Sequence, residues 1–536
     1  MQYLDILYGL VPPFLVSLAF ITPLLGLFVK SRKFFMLYAI VVVATATVIA
    51  GIIARNIFTG VDVALYPFGG WPPPIGIAYI VDKLSASLAL LASIIVLLSV
   101  VASTSYLENY KPSTLSYIYT AVLGFTAGVM GVFYTGDIFN LFVMMEVMCI
   151  SLYVLVAFHR TRAEAVEAAI KYSLVSIVAL VLYFFSTLLI YGSYQTLNMA
   201  DLAIKSRPSE FGYYQSALLS GGYFADIRVA TAIAMAIIIW VFTLESALFP
   251  NHFWLPDAIS EAPTPVSAVL PVAEMASTYV VIRYLFTIFG PDSILAENGV
   301  RSTVLYVLLA LGVVASIVGG VMMALQRDAK RLLGYSSISH VGFIYMALGL
   351  TAFSQEGRLP LMAAIFHMVN YVVTSSMLFL AVGALEKASG SRDIDALAGV
   401  GRYMPVAGTS VVLGVLNLVG LPPLGGFFSK LMIYQAALEV SQPVIALMVI
   451  LATAISVMGY AKLLFMVFGT GVKGLNVKED MRFSLPGLLL AVILVLLGTL
   501  LPVGLYEYLE DVCSAMYGYK KYIEVFLAYM ASLLGR

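Results

Sequence analysis

Charged side chains are scarce in this chain: 11% of its 536 residues are Asp, Glu, Lys or Arg, against roughly a quarter in an ordinary soluble domain. That scarcity, together with 61% hydrophobic residues, excludes a large soluble protein. Cysteine is scarcer still. Cys149 and Cys513 are the only two, which excludes a disulfide framework, a zinc site or an iron–sulfur cluster on this chain. No metal and no cofactor is therefore expected, and any redox centre belongs to another polypeptide. Net charge is zero and no basic block stands out, so nothing points to nucleic acid. No phosphate-binding Gly loop, nucleophile elbow or HExxH motif is present, so no catalytic residue for hydrolysis or group transfer is assigned. The N-terminus lacks a charged leader and a small-residue cleavage site, and its first apolar stretch is expected to be a retained span.

What the chain has in quantity is apolar runs of membrane-spanning length. A bilayer core needs about 20 helical residues, and 34–54 (FFMLYAIVVVATATVIAGIIA) supplies them without a charge. Runs between turn-like or charged breaks predict an all-α integral membrane protein with about fourteen spans, at 9–28, 34–54, 80–104, 116–134, 137–158, 168–192, 229–250, 264–289, 302–325, 332–353, 360–385, 406–439, 442–469 and 484–504. Residues 193–228 are more polar and predict an interfacial loop with a short helix. The tail 505–536 has one apolar run (VFLAYMASLL) too short to span, which leaves it on the membrane or against a neighbour. One set of alternate loops holds fifteen Lys and Arg residues, from Lys30, Arg32 and Lys33 to Lys473, Lys478 and Arg482; the other internal loops hold six, Arg55, Lys205, Arg207, Arg228, Arg301 and Arg358. Basic residues are retained on the cytoplasmic side, so the reading is a multi-pass protein of the cell membrane with both termini outside.

Two of the predicted spans are interrupted in a similar way. In WVFTLESALFPNHFWLPD (240–257), Glu245 precedes Pro250 by five residues and His252 follows; in NLVGLPPLGGFFSKLMIY (417–434), Pro422, Pro423 and Gly425 stand before Lys430. Corresponding interruptions in two halves point to an internal repeat with ion sites near mid-membrane. An ionisable side chain at the bilayer centre costs at least about 2.5–3.5 kcal/mol on insertion scales, so each one needs a reason. The row consists of Glu146, Lys171, Glu245, Glu274, His340, His367, Lys430 and Lys462, with His252 beside the first break. Asp137, Lys171 and Lys330 lie near span ends and could equally snorkel to the interface, and the two histidines could be satisfied packing residues. Carboxylates, lysines and histidines in series can otherwise take and pass protons, because burial and neighbouring charge tune their affinities.

At this point the residues carry a family resemblance. GGWPPPIGIAYIVDKLSA (69–86), GDIFNLFVMMEVMCISLYVLVAF (136–158), ALFPNHFWLPDAISEAPTPVSAVL (247–270), DAKRLLGYSSISHVGF (328–343), FHMVNYV (366–372) and GLPPLGGFFSKLMI (420–433) occur in the order found in the antiporter-like proton-translocating subunits of complex I, Mrp-type antiporters and membrane-bound hydrogenases. The chain resembles the Mrp D-type and hydrogenase-type branch most. The resemblance implies fourteen helices with two inverted five-helix repeats, broken helices 7 and 12, and a hydrated mid-membrane axis. It also implies a division into an N-terminal three-helix segment (1–108), a first repeat (109–290), a second repeat (291–470) and a C-terminal helix and tail (471–536). Glu146 matches the residue that couples one subunit to the next, His340 and His367 match central relay positions, and Lys430 matches the ionisable residue on the exit side.

The sequence departs from the family pattern at three points. Glu245 stands where a lysine is usual, Met275 and its neighbour Glu274 stand where helix eight commonly carries a lysine or histidine, and Ser375 stands at a usual lysine of helix eleven. Three readings stay open: two carboxylates, Glu146 and Glu245, sharing one proton; a sodium site built from carboxylates and the hydroxyls of Thr243, Ser246 and Ser375; or a structural subunit that couples its neighbours. The expectation is a membrane subunit of a multi-subunit complex that moves H+ or Na+. Its partners would be other membrane subunits, antiporter-like or small Mrp-like, within the lipid bilayer. The alternatives are a non-pumping coupling subunit and a stand-alone transporter for a small solute.

Overall fold

The computed structural model describes residues 6–207, 227–354, 358–470, 478–500, 504–517 and 519–534. Lys473 and residues 208–226 of the predicted interfacial segment lie outside the described residues. The chain is a multi-pass membrane protein. Thirteen helices among the described residues are long and apolar enough to cross a bilayer: α1 Leu7–Phe28, α2 Arg32–Val61, α3 Lys83–Tyr106, α4 Pro112–Tyr134, α5 Ile138–His159, α6 Ala163–Tyr194, α7 Ile227–Glu245, α8 Thr264–Ile288, α9 Val300–Leu325, α10 Ala329–Phe353, α11 Arg358–Ser389, α13 Pro443–Phe468 and α14 Met481–Leu500. The fourteenth, α12, crosses in two pieces, Pro405–Val419 and Gly425–Glu439. Helix α7 is broken as well and resumes as Leu255–Glu261.

Each half starts its core pair of helices in the same way. The Asp137 carboxylate caps α5 by accepting from the amides of Phe139 and Asn140, and the Asp328 carboxylate caps α10 by accepting from the amide of Arg331. Asp137 also bridges to Asn198 beyond α6, and Asp328 to Asp393 beyond α11. In both halves a glycine lets the backbones of the pair meet. A Cβ on Gly128 of α4 would lie 2.5 Å from the Met148 amide nitrogen, and one on Gly319 of α9 would lie 2.5 Å from that of Ser339. Without a hydrophobic drive between helices in lipid, such close backbone approach is what holds them together. Helices α8, α10 and α11 are the most enclosed and form the centre.

The two breaks keep their freed backbone groups bonded, as a low-dielectric setting demands. At the first, the Trp254 indole N–H donates to the Leu244 carbonyl at 3.1 Å. At the second, the Lys430 ammonium donates to the Leu418 carbonyl at 2.6 Å, and the Asn417 side chain accepts from the Gly426 amide at 2.7 Å.

Two features depart from the sequence expectation. The apolar run read as the start of a span at residue 80 is a β-strand, Ala78–Asp82, paired antiparallel with Val63–Pro67; α3 begins only at Lys83, where Asp82 forms a capping box with Ser85. Apolarity alone does not separate a buried strand from the helix that follows it. The tail forms two helices, α15 Leu505–Tyr517 and α16 Tyr519–Leu534, and both dock on their own bundle at the end that carries this hairpin. Lys83 pairs with Asp511 and, at 2.8 Å, with Asp62. The Arg207 guanidinium lies 3.6 Å over the Tyr519 ring. At the opposite end, Arg482 donates to Glu108 at 2.8 Å and, with Lys387, holds that carboxyl below its ordinary range.

Candidate ion path

Two groups of polar side chains occupy the interior. The first lies between α5, α6 and α7. Glu245 is the last residue of α7 before its break and is 2% exposed. Its carboxylate accepts from the Ser176 hydroxyl of α6 and, at 3.6 Å, from the Cys149 thiol of α5. Glu146 stands one turn before Cys149 on α5. It is half-buried and has no hydrogen-bond or ion-pair partner among the described residues. Just past Glu245, the hydroxyls of Ser246 and Tyr345 lie 2.9 Å apart.

The second group crosses α8, α10, α11, α12 and α13. His340 Nδ1 and His367 Nε2 are 3.0 Å apart, His340 Nε2 is 2.8 Å from the Tyr460 hydroxyl, and His367 Nδ1 is 2.9 Å from Ser429 Oγ. The ends of this string fix its direction. The Gly426 carbonyl can only accept, and Ser429 donates to it at 3.1 Å. Ser429 therefore accepts from His367 Nδ1–H, His367 Nε2 accepts from His340 Nδ1–H, and His340 Nε2 accepts from Tyr460, whose oxygen is 2.8 Å from Ser336 Oγ. Each neutral imidazole donates once and accepts once, so the string runs unbroken from Tyr460 to Ser429. Lys430, next to Ser429, holds its ammonium 5.2 Å above the Phe343 ring. Glu274 joins through Tyr371: the phenol donates to its carboxylate at 2.7 Å, and the same ring stacks on His340 with centroids 5.5 Å apart. The other Glu274 oxygen, Oε1, is buried without a hydrogen-bond partner among the described residues.

Several residues singled out by the sequence lie apart from these groups. Lys171 pairs with Glu167 at 2.6 Å and with Asp257 at 3.0 Å, and Asp257 also pairs with Arg331 at 2.7 Å. This is an ionic tie between α6, α10 and the second piece of α7. Lys462 donates to the carbonyls of Ala324 and Gln326 and so caps the end of α9. His252 bonds the Pro250 carbonyl at 3.2 Å and stacks on Phe249. Pro250 lies within the first interruption and Pro422 and Pro423 within the second, while Gly425 opens the second piece of α12. Asp137 is a helix cap, and buried Lys330 donates to the Ala262 carbonyl. The hydroxyls considered for sodium do not gather on Glu245: Thr243 bonds the Trp240 carbonyl of its own helix, and Ser246 meets Tyr345.

Residues 135–456 match the family model described as the transmembrane segment of NADH:quinone oxidoreductase and Mrp antiporter subunits. This chain belongs to that family. It is 28% identical over 527 residues to NADH-quinone oxidoreductase subunit N of Desulforudis audaxviator, covering 96% of this chain and 98% of the relative. It is 28% identical over 451 residues to the D-type subunit of the Na+/H+ antiporter of Alkalihalophilus pseudofirmus, covering 83% of this chain and 85% of that relative. The fold superimposes on a chain of the membrane-bound sulfane sulfur reductase, an archaeal respiratory membrane complex, with a TM-score of 0.86 and 27% identity, covering 97% of this chain and 100% of that one.

Within this family member the sequence reading missed Cys149, Ser176, Tyr371, Ser429 and Tyr460. Tyr371 follows His367 by four residues, the spacing that puts two side chains on one helix face, so that pairing had a signal. Ser429 had one in its adjacency to Lys430. For Cys149 and Ser176 there was none, since small hydroxyl and thiol side chains are ordinary components of apolar helices. Met275 and Ser375 are buried at 1% and 3% exposure, and the polar group nearest in sequence to Met275 is Glu274 itself.

Proposed function

We propose that this chain is a membrane subunit of a multi-subunit cation/proton-translocating complex and that it moves protons through Glu146, Glu245, Glu274, His340, His367 and Lys430. The reading is carried by the hydrogen-bonded string from Tyr460 through His340 and His367 to Ser429, which ends beside a buried lysine. A string of N–H and O–H groups in direct contact conducts protons and has no room for a sodium ion between its members. The division into repeats at 109–290 and 291–470 belongs to the same proposal, with the two breaks as corresponding points. The complex sits in the cell membrane with the N-terminus outside; cleavage of a C-terminal tag from outside intact cells would support this topology, since fourteen crossings put both termini on one side.

Whole complex in sealed vesicles, with Glu146→Gln and separately Lys430→Ala, tests the proposal. Proton uptake falls in each variant if the path runs here, and unchanged uptake in both removes this chain from transport. A second reading, a coupling subunit that does not itself pump, is favoured by one observation: among the described residues Glu245 meets a hydroxyl and a thiol and no basic side chain. Gain of uptake in Glu245→Lys with assembly unchanged would support that reading.

A further inference from the structure

One face of the molecule, where α2, α3, α11, α14 and the first tail helix meet, holds a groove of about 550 Å3, within the range of about 300–1,000 Å3 that small-molecule sites occupy. Its length is that of one leaflet. Along α3 it extends from Leu84 to Ile94, about 15 Å at about 1.5 Å per residue, which is the hydrocarbon depth of one leaflet in a core of about 30 Å. One wall is α15, which presents Leu505, Tyr508, Leu509 and Val512, the spacing of one helical face. Among the side chains lining the groove, Ser87, Tyr508 and Arg55 are polar, and the first two bond each other.

Arg55 is different. It lies in the last turn of the regular part of α2, exposed, and its guanidinium has no hydrogen-bond or ion-pair partner among the described residues. An apolar slot of single-leaflet depth with one open guanidinium at its mouth matches the two halves of a membrane lipid. The planar fork of arginine suits phosphate oxygens, and the slot suits a hydrocarbon chain. The floor adds a link to the path, because Ile365, Phe366 and Val369 of α11 face the groove while His367 between them faces His340.

We propose that this groove binds one anionic membrane phospholipid, with its phosphate on Arg55 and an acyl chain lying along α3 against the back of α11. The bound chain then supports the helix that carries His367. The test is native mass spectrometry of the intact complex purified in mild detergent, comparing the wild type with Arg55→Gln and Gly51→Leu. Gly51 lines the groove, and a Cβ there would meet nothing nearer than Leu90 at 3.9 Å, so a leucine fills the slot without meeting backbone. The expected result is one phosphate-bearing lipid fewer per complex in each variant, with the subunit complement unchanged. An equal lipid complement in the wild type and either variant overturns the proposal. So does cross-linking of Gly51→Cys to a neighbouring subunit, which would make the occupant a protein helix. Should Gly51→Leu fail to assemble, Arg55→Gln alone decides.

Discussion

An acid inside a bilayer helix must be matched by donors, and Glu245 is matched by two that are weak and neutral, Ser176 and Cys149. The acid itself was legible in the sequence, because one ionisable letter in an apolar run stands out against its cost of insertion. Its partners were not, since they come from two other helices and are of types that any membrane helix contains. His367 is likewise marked by the sequence, while Ser429, 2.9 Å from its Nδ1, is legible only through its adjacency to Lys430. Glu245→Gln separates charge from shape. The amide carbonyl still accepts from Ser176, so the complex should assemble at wild-type level, while proton uptake into vesicles falls by about tenfold or more, a change of at least about 1.4 kcal/mol in the barrier. Ser176→Ala does the reverse. It leaves a buried carboxylate oxygen without its donor, at about 1–3 kcal/mol, and should lower the thermal unfolding midpoint. Normal uptake in Glu245→Gln would take this residue out of the path and strengthen the coupling-subunit reading.

At the scale of elements, the breaks in α7 and α12 were legible from Pro250 and from Pro422, Pro423 and Gly425, because proline removes a backbone donor and glycine weakens a helix through its conformational freedom. How the freed groups are bonded was not legible. Trp254 reaches back to the Leu244 carbonyl and Lys430 to that of Leu418, so in each half a side chain beyond the break bonds a carbonyl before it. In α12 that side chain is Lys430, which the proposed path includes. In α7 it is a tryptophan, whose ring stacks on Tyr172 with centroids 4.2 Å apart. Trp254→Phe keeps much of the stack and removes the donor. The Leu244 carbonyl keeps the Ala247 amide as a donor at 2.9 Å, so the expected cost is that of one hydrogen bond, about 0.5–1.5 kcal/mol, seen as a lower unfolding midpoint in detergent. An unchanged midpoint would mean that the Ala247 amide alone satisfies the Leu244 carbonyl and the indole contributes only by packing. The β-hairpin escaped the sequence reading for the opposite reason, since its second strand is apolar and runs straight into α3.

For the whole molecule, the number of crossings followed from hydropathy, but the closure of the hairpin end did not. That closure rests on pairs far apart in sequence: Lys83 with Asp511, Arg207 with Tyr519, and above all Arg283 with Asp82. Arg283 donates to Asp82 at 2.6 Å, with the two side chains 3% and 5% exposed, and its guanidinium lies 5.2 Å over the Tyr522 ring of the tail. One buried ion pair thus joins α3, α8 and α16. Removing one partner of such a pair leaves an uncompensated buried charge and costs about 3–5 kcal/mol, whereas removing both charges costs less. Arg283→Met should therefore lower the unfolding midpoint of the complex strongly. Adding Asp82→Asn should recover part of the loss, because asparagine still accepts from the Ser85 amide as the cap of α3 and no longer carries a charge. If the double variant is as unstable as Arg283→Met alone, the closure depends on packing of the guanidinium between Tyr279 and Tyr522 and the ion pair contributes little.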